Sequence, residues 1–132
     1  MESLSEYGPA LGRRFRSLKL WTVMRCLGRS GLQSSIDCAV DLAQELAGWI
    51  EADPDFEICA PHPFSTVCFR AHGSDEDNAR IVERVNASGE ALISHTKLND
   101  RYVVRVAIGH MRTSRDDVAR AWQAIRAARE SG

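Results

Sequence analysis

The dipeptide Asp53-Pro54 divides this chain into two halves of different period. Proline lacks a backbone N–H, and it disfavours the α conformation in the residue before it, so a helix arriving from upstream ends there. Upstream, apolar residues recur every three or four positions: Leu32, Ile36, Ala39, Val40, Ala43, Leu46, Ala47 and Ile50 give about five turns of amphipathic helix. Before them, Phe15, Leu18, Trp21 (or Val23) and Leu27 form a second stripe, ringed by Arg13, Arg14, Arg16, Lys19 and Arg25. Gly28, Ser30 and Gly31 break the two apart, so a helical hairpin or a bent pair is predicted. Residues 1–11 are a lead-in with the turn pair Gly8-Pro9.

Downstream the period shortens to two. Residues 56–60 and 66–71 read as strands, separated by Pro61-His62-Pro63, a pattern suited to an edge or a bulge. A helix is predicted over 76–87, with Ser74 or Asp75 as N-cap, Ala79, Ile81, Val82 and Val85 inward, and Gly89 as its stop. Two further strands, 91–96 and 101–108, are joined by a turn at Leu98-Asn99-Asp100. A last helix starts at Ser114, has Asp116 and Asp117 in its first turn, and buries Val118, Ala121, Trp122 and Ile125. The order after Pro54 is β-β-α-β-β-α. This is an α+β pattern, with helices on one face of a mostly antiparallel sheet.

Composition narrows the function. The 132 residues suit one compact domain, or a small domain with an appendage. With 44% hydrophobic and 27% charged residues, a disordered chain is excluded. The net charge of -1 disfavours a nucleic-acid coat protein. No apolar run reaches the roughly 20 residues that span a bilayer, and the first residues lack the order of a signal peptide. Cys26, Cys38, Cys59 and Cys68 form no C-x-x-C pair, so reduced thiols in a cytoplasm are expected. Lys19 and Lys97 are the only lysines.

Few residues point to chemistry. Cys59, His62, Cys68 and His72 lie close enough in sequence to suggest zinc, but they lack the paired spacing of a finger, and buried free cysteines in strands explain them as well; no metal is expected. Arg105 stands in Tyr102-Val103-Val104-Arg105-Val106-Ala107-Ile108, on the face it shares with Val103 and Ala107. A guanidinium there needs an anion. The two readings are an internal salt bridge, with Glu57 as a partner, and a bidentate grip on a substrate carboxylate. The basic stretch 13–29 is either a solvated face or a surface for an anionic partner. His95 and His110 are acid–base candidates by residue type alone. None of the common phosphate-binding, dinucleotide, hydrolase-elbow or zincin motifs is present.

The block Leu11-Gly12-Arg13-Arg14-Phe15-Arg16-Ser17-Leu18-Lys19-Leu20-Trp21 resembles the group II pyridoxal-phosphate-dependent decarboxylases, which include aromatic-L-amino-acid and tyrosine decarboxylases. The resemblance runs on through Gly31-Leu32-Gln33, Asp53-Pro54, Phe56-Glu57-Ile58 and Phe64-Ser65-Thr66-Val67-Cys68-Phe69-Arg70. It reaches Tyr102-Val103-Val104-Arg105-Val106-Ala107-Ile108 and covers residues 7–128. It is to the C-terminal part of those enzymes. It implies the small domain of the aspartate-aminotransferase fold (type I pyridoxal-phosphate enzymes), with a lead-in at 1–14, a helical arm at 15–53 and an α+β domain at 54–132.

The resemblance also implies what this stretch lacks. The family's cofactor-anchoring lysine and catalytic loop match positions upstream of it, and neither Lys19 nor Lys97 matches the anchor. Arg105 matches an arginine that holds the substrate carboxylate near the cofactor in relatives acting on glutamate, and whose role in the aromatic enzymes is less direct. Gly12 matches a glycine whose backbone approaches the cofactor phosphate across the family dimer. The implied function is part of a decarboxylase converting an aromatic amino acid to its amine, with pyridoxal phosphate as cofactor, a homodimer as the intact form, and no nucleic acid or membrane partner. The large domain or a companion chain would be missing, and this chain alone would be inactive. The alternative is a non-catalytic dimerisation or regulatory module derived from such an enzyme. Either way, Leu20, Trp21, Val23 and Trp49 are expected to lack part of their partner surface and to promote self-association.

Overall fold

The computed structural model describes residues 15–130. It divides into two compact units, Met1–Ser34 and Ser35–Gly132. The lead-in, with Gly12, lies outside the described residues.

The predicted break is present: α1 (Arg16–Glu51) consists of two helical stretches that meet at a kink, where Gly28 leaves helical geometry at φ 63 and ψ -175. A side chain at this φ would be strained, so glycine suits the kink. No residue of α1 before Leu42 is buried; its buried face is Leu42, Ala43, Leu46, Ala47 and Ile50. The predicted stripe therefore begins too early: Ile36 is 61% exposed, while Ala39 and Val40 are half-buried. Periodicity marks a face able to be buried, but only a neighbouring element buries it.

Four strands follow: β1 (Phe56–Ile58), β2 (Thr66–Ala71), β3 (Ser94–Leu98) and β4 (Arg101–Ala107). Helix α2 (Asp75–Ser88) joins β2 to β3, and α3 (Arg115–Glu130) ends the chain. The sheet order is β1-β2-β4-β3, with every neighbouring pair antiparallel. Strands β2 and β3 thus run parallel, with β4 filling the space between them by a hairpin. The hairpin turn is Asn99-Asp100, both at positive φ (52 and 61), which matches the twist of a two-residue connection. Leu98 and Arg101 are a strand pair and not part of the turn.

One face of the sheet carries the core. Phe56, Val67, Phe69, Ala71, Val104 and Val106 meet Ile81, Val82 and Val85 of α2, Val118, Trp122 and Ile125 of α3, and the buried face of α1. Phe56, Phe69 and Trp122 pack edge to face, with Phe56 and Trp122 centroids 4.9 Å apart. Such pairs add stability beyond their buried area.

Two asparagines fasten α2 to the sheet. Asn78 is fully buried; its Oδ1 accepts from Ala71 N at 2.8 Å, and its Nδ2 donates to Ala71 O and Ser74 O. Asn86 treats Ile93 in the same way, accepting from its N–H at 2.8 Å and donating to its carbonyl at 3.0 Å. This clasp explains why β3 starts at Ser94 and not at the predicted Ala91: the polar groups of Ile93 are satisfied by the helix. The strand then continues past Thr96 to Leu98. Strand β1 is likewise shorter than predicted, although Cys59 N still donates to Cys68 O at 2.8 Å before the prolines intervene.

Candidate functional site

The second face of the sheet carries Glu57, Thr66, Cys68, Arg70, Ser94, Thr96, Arg101, Val103, Arg105 and Ala107, and none of them belongs to the apolar core. Cys59, one step beyond β1, continues the same alternation. Most of these residues are half-buried or exposed; Arg70 and Val103 are buried. A polar face with embedded arginines is suited to an anionic ligand or a partner surface.

Arg105 is exposed at the centre of this face. It lies opposite Cys68 on β2 and Ser94 on β3. Its Nε donates to Ser94 Oγ at 3.0 Å, and the Ser94 hydroxyl donates back to the Arg105 carbonyl at 3.3 Å. Among the described residues its two terminal nitrogens have no carboxylate partner. The predicted Glu57–Arg105 salt bridge does not form. Glu57 instead pairs with Arg101, and its Oε1 lies 3.9 Å from Arg70 Nε. The register accounts for this: Glu57 is opposite Arg70, at the end of the sheet away from Arg105.

Arg70, 4% exposed, has a structural role. It donates to Gly73 O at 2.7 Å and to Asp75 Oδ1 at 3.1 Å, while Asp75 Oδ2 accepts from Tyr102 N. These contacts close the β2–α2 turn against β4. The charge is satisfied, which its burial requires.

The other candidates do not converge. Among the described residues no group of three or more potential ligands is placed to hold a metal ion. Cys59 and Cys68 are adjacent, but His62 sits in the loop between β1 and β2, and His72 is exposed beyond β2. His95 stacks on Tyr102 at 4.6 Å, and the His110 Nδ1 accepts from Arg112 N. Neither ring hydrogen-bonds to a carboxylate in these contacts. Burial pushes the Tyr102 hydroxyl above its usual range, with Glu83 adding to the shift.

Lys19 lies exposed on α1 and Lys97 exposed on β3. A surface hollow of about 600 Å³ is lined by Trp49, Pro54, Trp122 and Arg126 among others, and neither lysine lines it. The described residues therefore do not fit covalent anchoring of a pyridoxal cofactor.

Ser94 is the residue that sequence reasoning missed. A two-residue turn at Asn99-Asp100 fixes the hairpin register and sets Ser94 against Arg105. A three-residue turn that includes Leu98 loses that pairing.

The fold is that of pyridoxal-phosphate decarboxylases. The chain superposes on the Catharanthus roseus tryptophan decarboxylase, solved in complex with L-tryptophan, with a TM-score of 0.83 at 34% identity, covering 98% of this chain and 29% of that one. It superposes equally well on Rhodiola rosea 4-hydroxyphenylacetaldehyde synthase, with a TM-score of 0.82 at 31% identity, covering 99% of this chain and 30% of that one. Residues 3–72 match the pyridoxal-dependent decarboxylase conserved domain, so the chain belongs to that family. It is 41% identical over 116 residues to the aromatic-L-amino-acid decarboxylase of Cavia porcellus, covering 88% of this chain and 24% of the relative. It is 43% identical over 122 residues to phenylacetaldehyde synthase of Arabidopsis thaliana, covering 87% of this chain and 25% of the relative. The chain thus spans about a quarter of the length of the curated relatives it matches.

Proposed function

We propose that this chain is the C-terminal, small-domain part of a pyridoxal-phosphate-dependent enzyme acting on aromatic L-amino acids, a carboxy-lyase that releases carbon dioxide and the amine. The bound cofactor would supply the electron sink. In that enzyme residues 15–53 form the arm leading to the large domain and 54–132 form the small domain. Gly12 would approach the cofactor phosphate from the neighbouring subunit, and the intact form would be a cytoplasmic homodimer. The relatives include both decarboxylases and aldehyde synthases at similar identity, so the aromatic substrate class has broader support than the choice of product.

The observation that carries the reading is Arg105. Its guanidinium stands on the uncovered sheet face without a carboxylate partner among the described residues, and Ser94 steers it from the neighbouring strand. A guanidinium held in this way can take both oxygens of a carboxylate. Arg105 would bind and orient the substrate, and it has no part in proton transfer.

The test is a chimaera in which this chain replaces the matching region of the Catharanthus roseus enzyme. The chimaera should decarboxylate an aromatic amino acid, whereas the chain alone should be inactive. Arg105→Gln should raise KM and lower kcat/KM by roughly 10- to 100-fold, the worth of one charged hydrogen-bonding contact. Arg105→Lys should recover part of the loss. An active chain alone would overturn the incompleteness, and an unchanged kcat/KM in Arg105→Gln would overturn the role of Arg105.

The second reading, a non-catalytic dimerisation or regulatory module, shares one observation with the first. Leu20 and Trp21 are 62% and 60% exposed on a stretch of α1 without a buried residue. A surface of this kind marks an interface. The module reading requires a stable dimer of this chain with no gain of activity in the chimaera.

A further inference from the structure

We propose that Cys59 and Cys68 form a cross-strand dithiol modification site, which closes to an intramolecular disulfide when a disulfide oxidant such as oxidised glutathione reaches the open sheet face. Both are free thiols, and both are half-buried on the face away from the apolar core.

The backbone sets the geometry. Glu57 pairs with Arg70 and Ile58 with Phe69, so the next step of the register places Cys59 opposite Cys68. Cys59 N donates to Cys68 O at 2.8 Å, and His72 N donates to Asp55 O at 2.9 Å, four residues back along the same ladder. Hydrogen-bonded antiparallel pairs recur every second residue, which makes Cys59 and Cys68 such a pair, with Cα atoms about 5.5 Å apart. Disulfides bridge Cα atoms separated by about 4.4–6.8 Å, so the backbone spacing of this pair lies within the range that a disulfide spans.

The charges around the two thiols differ. Burial pushes both above the usual thiol range. At Cys59 the Glu57 carboxylate adds to this, while Arg101 and Arg70 oppose it. At Cys68 the opposing group is Arg105. Ile108 N donates to Ser65 O, which makes Cys68 and Arg105 a non-hydrogen-bonded pair, the kind whose side chains approach most closely. Cys68 is therefore the first nucleophile and Cys59 the resolving thiol.

The reaction is thiol–disulfide exchange. The Cys68 thiolate attacks one sulfur of oxidised glutathione and expels a glutathione thiolate. Cys59 then loses its proton to solvent, and its sulfur attacks Cys68 Sγ and expels the second glutathione. One disulfide of glutathione is reduced to two thiols, and two protein thiols are oxidised to one disulfide.

The test uses the full chain carrying Cys26→Ser and Cys38→Ser, which removes the two exposed thiols. Incubation with oxidised glutathione should give a product lighter by two hydrogens, without bound glutathione. Peptide mapping should link Cys59 to Cys68, and dithiothreitol should reverse the change. Adding Cys59→Ser should leave glutathione stranded on Cys68. Phenylarsine oxide, which bridges neighbouring thiols, should bind one equivalent to the double variant and none once Cys59→Ser is added. Stable separate adducts on Cys59 and Cys68, or no arsenical binding to the double variant, would overturn the proposal.

Discussion

At the scale of single residues, polar side chains with backbone partners clasp helix α2 to the chain beside it. Asn78 is the clearest case. It has no exposed surface, and it satisfies both the N–H and the carbonyl of Ala71. Asn78→Ala leaves those groups buried and unpaired, at about 1–3 kcal/mol each where no water replaces the amide. The expected loss is about 2–4 kcal/mol, read as a lower urea midpoint with an unchanged slope. Asn78→Asp keeps the acceptor but turns an oxygen towards Ala71 O, so it should also destabilise, although it is nearly the same size. Nothing in the sequence marks Asn78 for burial, because its role depends on a strand end seven residues earlier. Arg105 was legible as a candidate because it interrupts an apolar strand. Its neighbour Ser94 was not, because that contact depends on a turn length.

At the scale of elements, helix starts and both ends of β2 were readable, while the end of β1 and both ends of β3 were not. Ser74 and Asp77 form a reciprocal capping box at α2, and Ser114 and Asp117 repeat it at α3. Both signals are local, a serine followed three residues later by a carboxylate, so a short sequence window contains them. The ends of β1 and β3 depend instead on Cys68 and Asn86, which are distant in sequence. The caps have a consequence for pH. Hydrogen bonds from Ser74 hold Asp77 below the ordinary aspartate range, and those from Ser114 do the same for Asp117. A depressed folded-state value means stability that is present above the unfolded-state value of 3.8 and lost as the pH falls through the folded-state value. Thermal melts of the wild type should therefore drop below pH 4, and part of that drop should disappear in Asp77→Asn/Asp117→Asn, which keeps an acceptor but cannot titrate. An identical acid limb in the variant would remove the caps from the explanation. Ser74→Ala should cost about 1 kcal/mol at neutral pH.

At the scale of the whole chain, the two units differ in what holds them. Ser35–Gly132 contains every buried residue of the apolar core. The part of α1 before Ser35 contains no buried residue and exposes Leu18, Leu20, Trp21, Val23 and Met24. Trp49, expected to be bare as well, is half-buried with the Arg115 guanidinium 5.5 Å above its ring. Isolated helices of this length are marginal in water, because their stability comes from packing of an apolar face. Amides of residues 18–30 should therefore exchange with solvent many-fold faster than those of 42–50 in dilute solution. If copies of the chain cover each other's apolar stripes, the difference should shrink as concentration rises, and sedimentation should show a dimer. Trp21→Glu should then restore both fast exchange and the monomer, leaving the exchange of 42–50 unchanged. Slow exchange of residues 18–30 in a chain that sediments as a monomer would show that the first stretch of α1 is stable without a partner. In that case its apolar face would no longer support an interface, with a second copy or with the further length of chain that the relatives have.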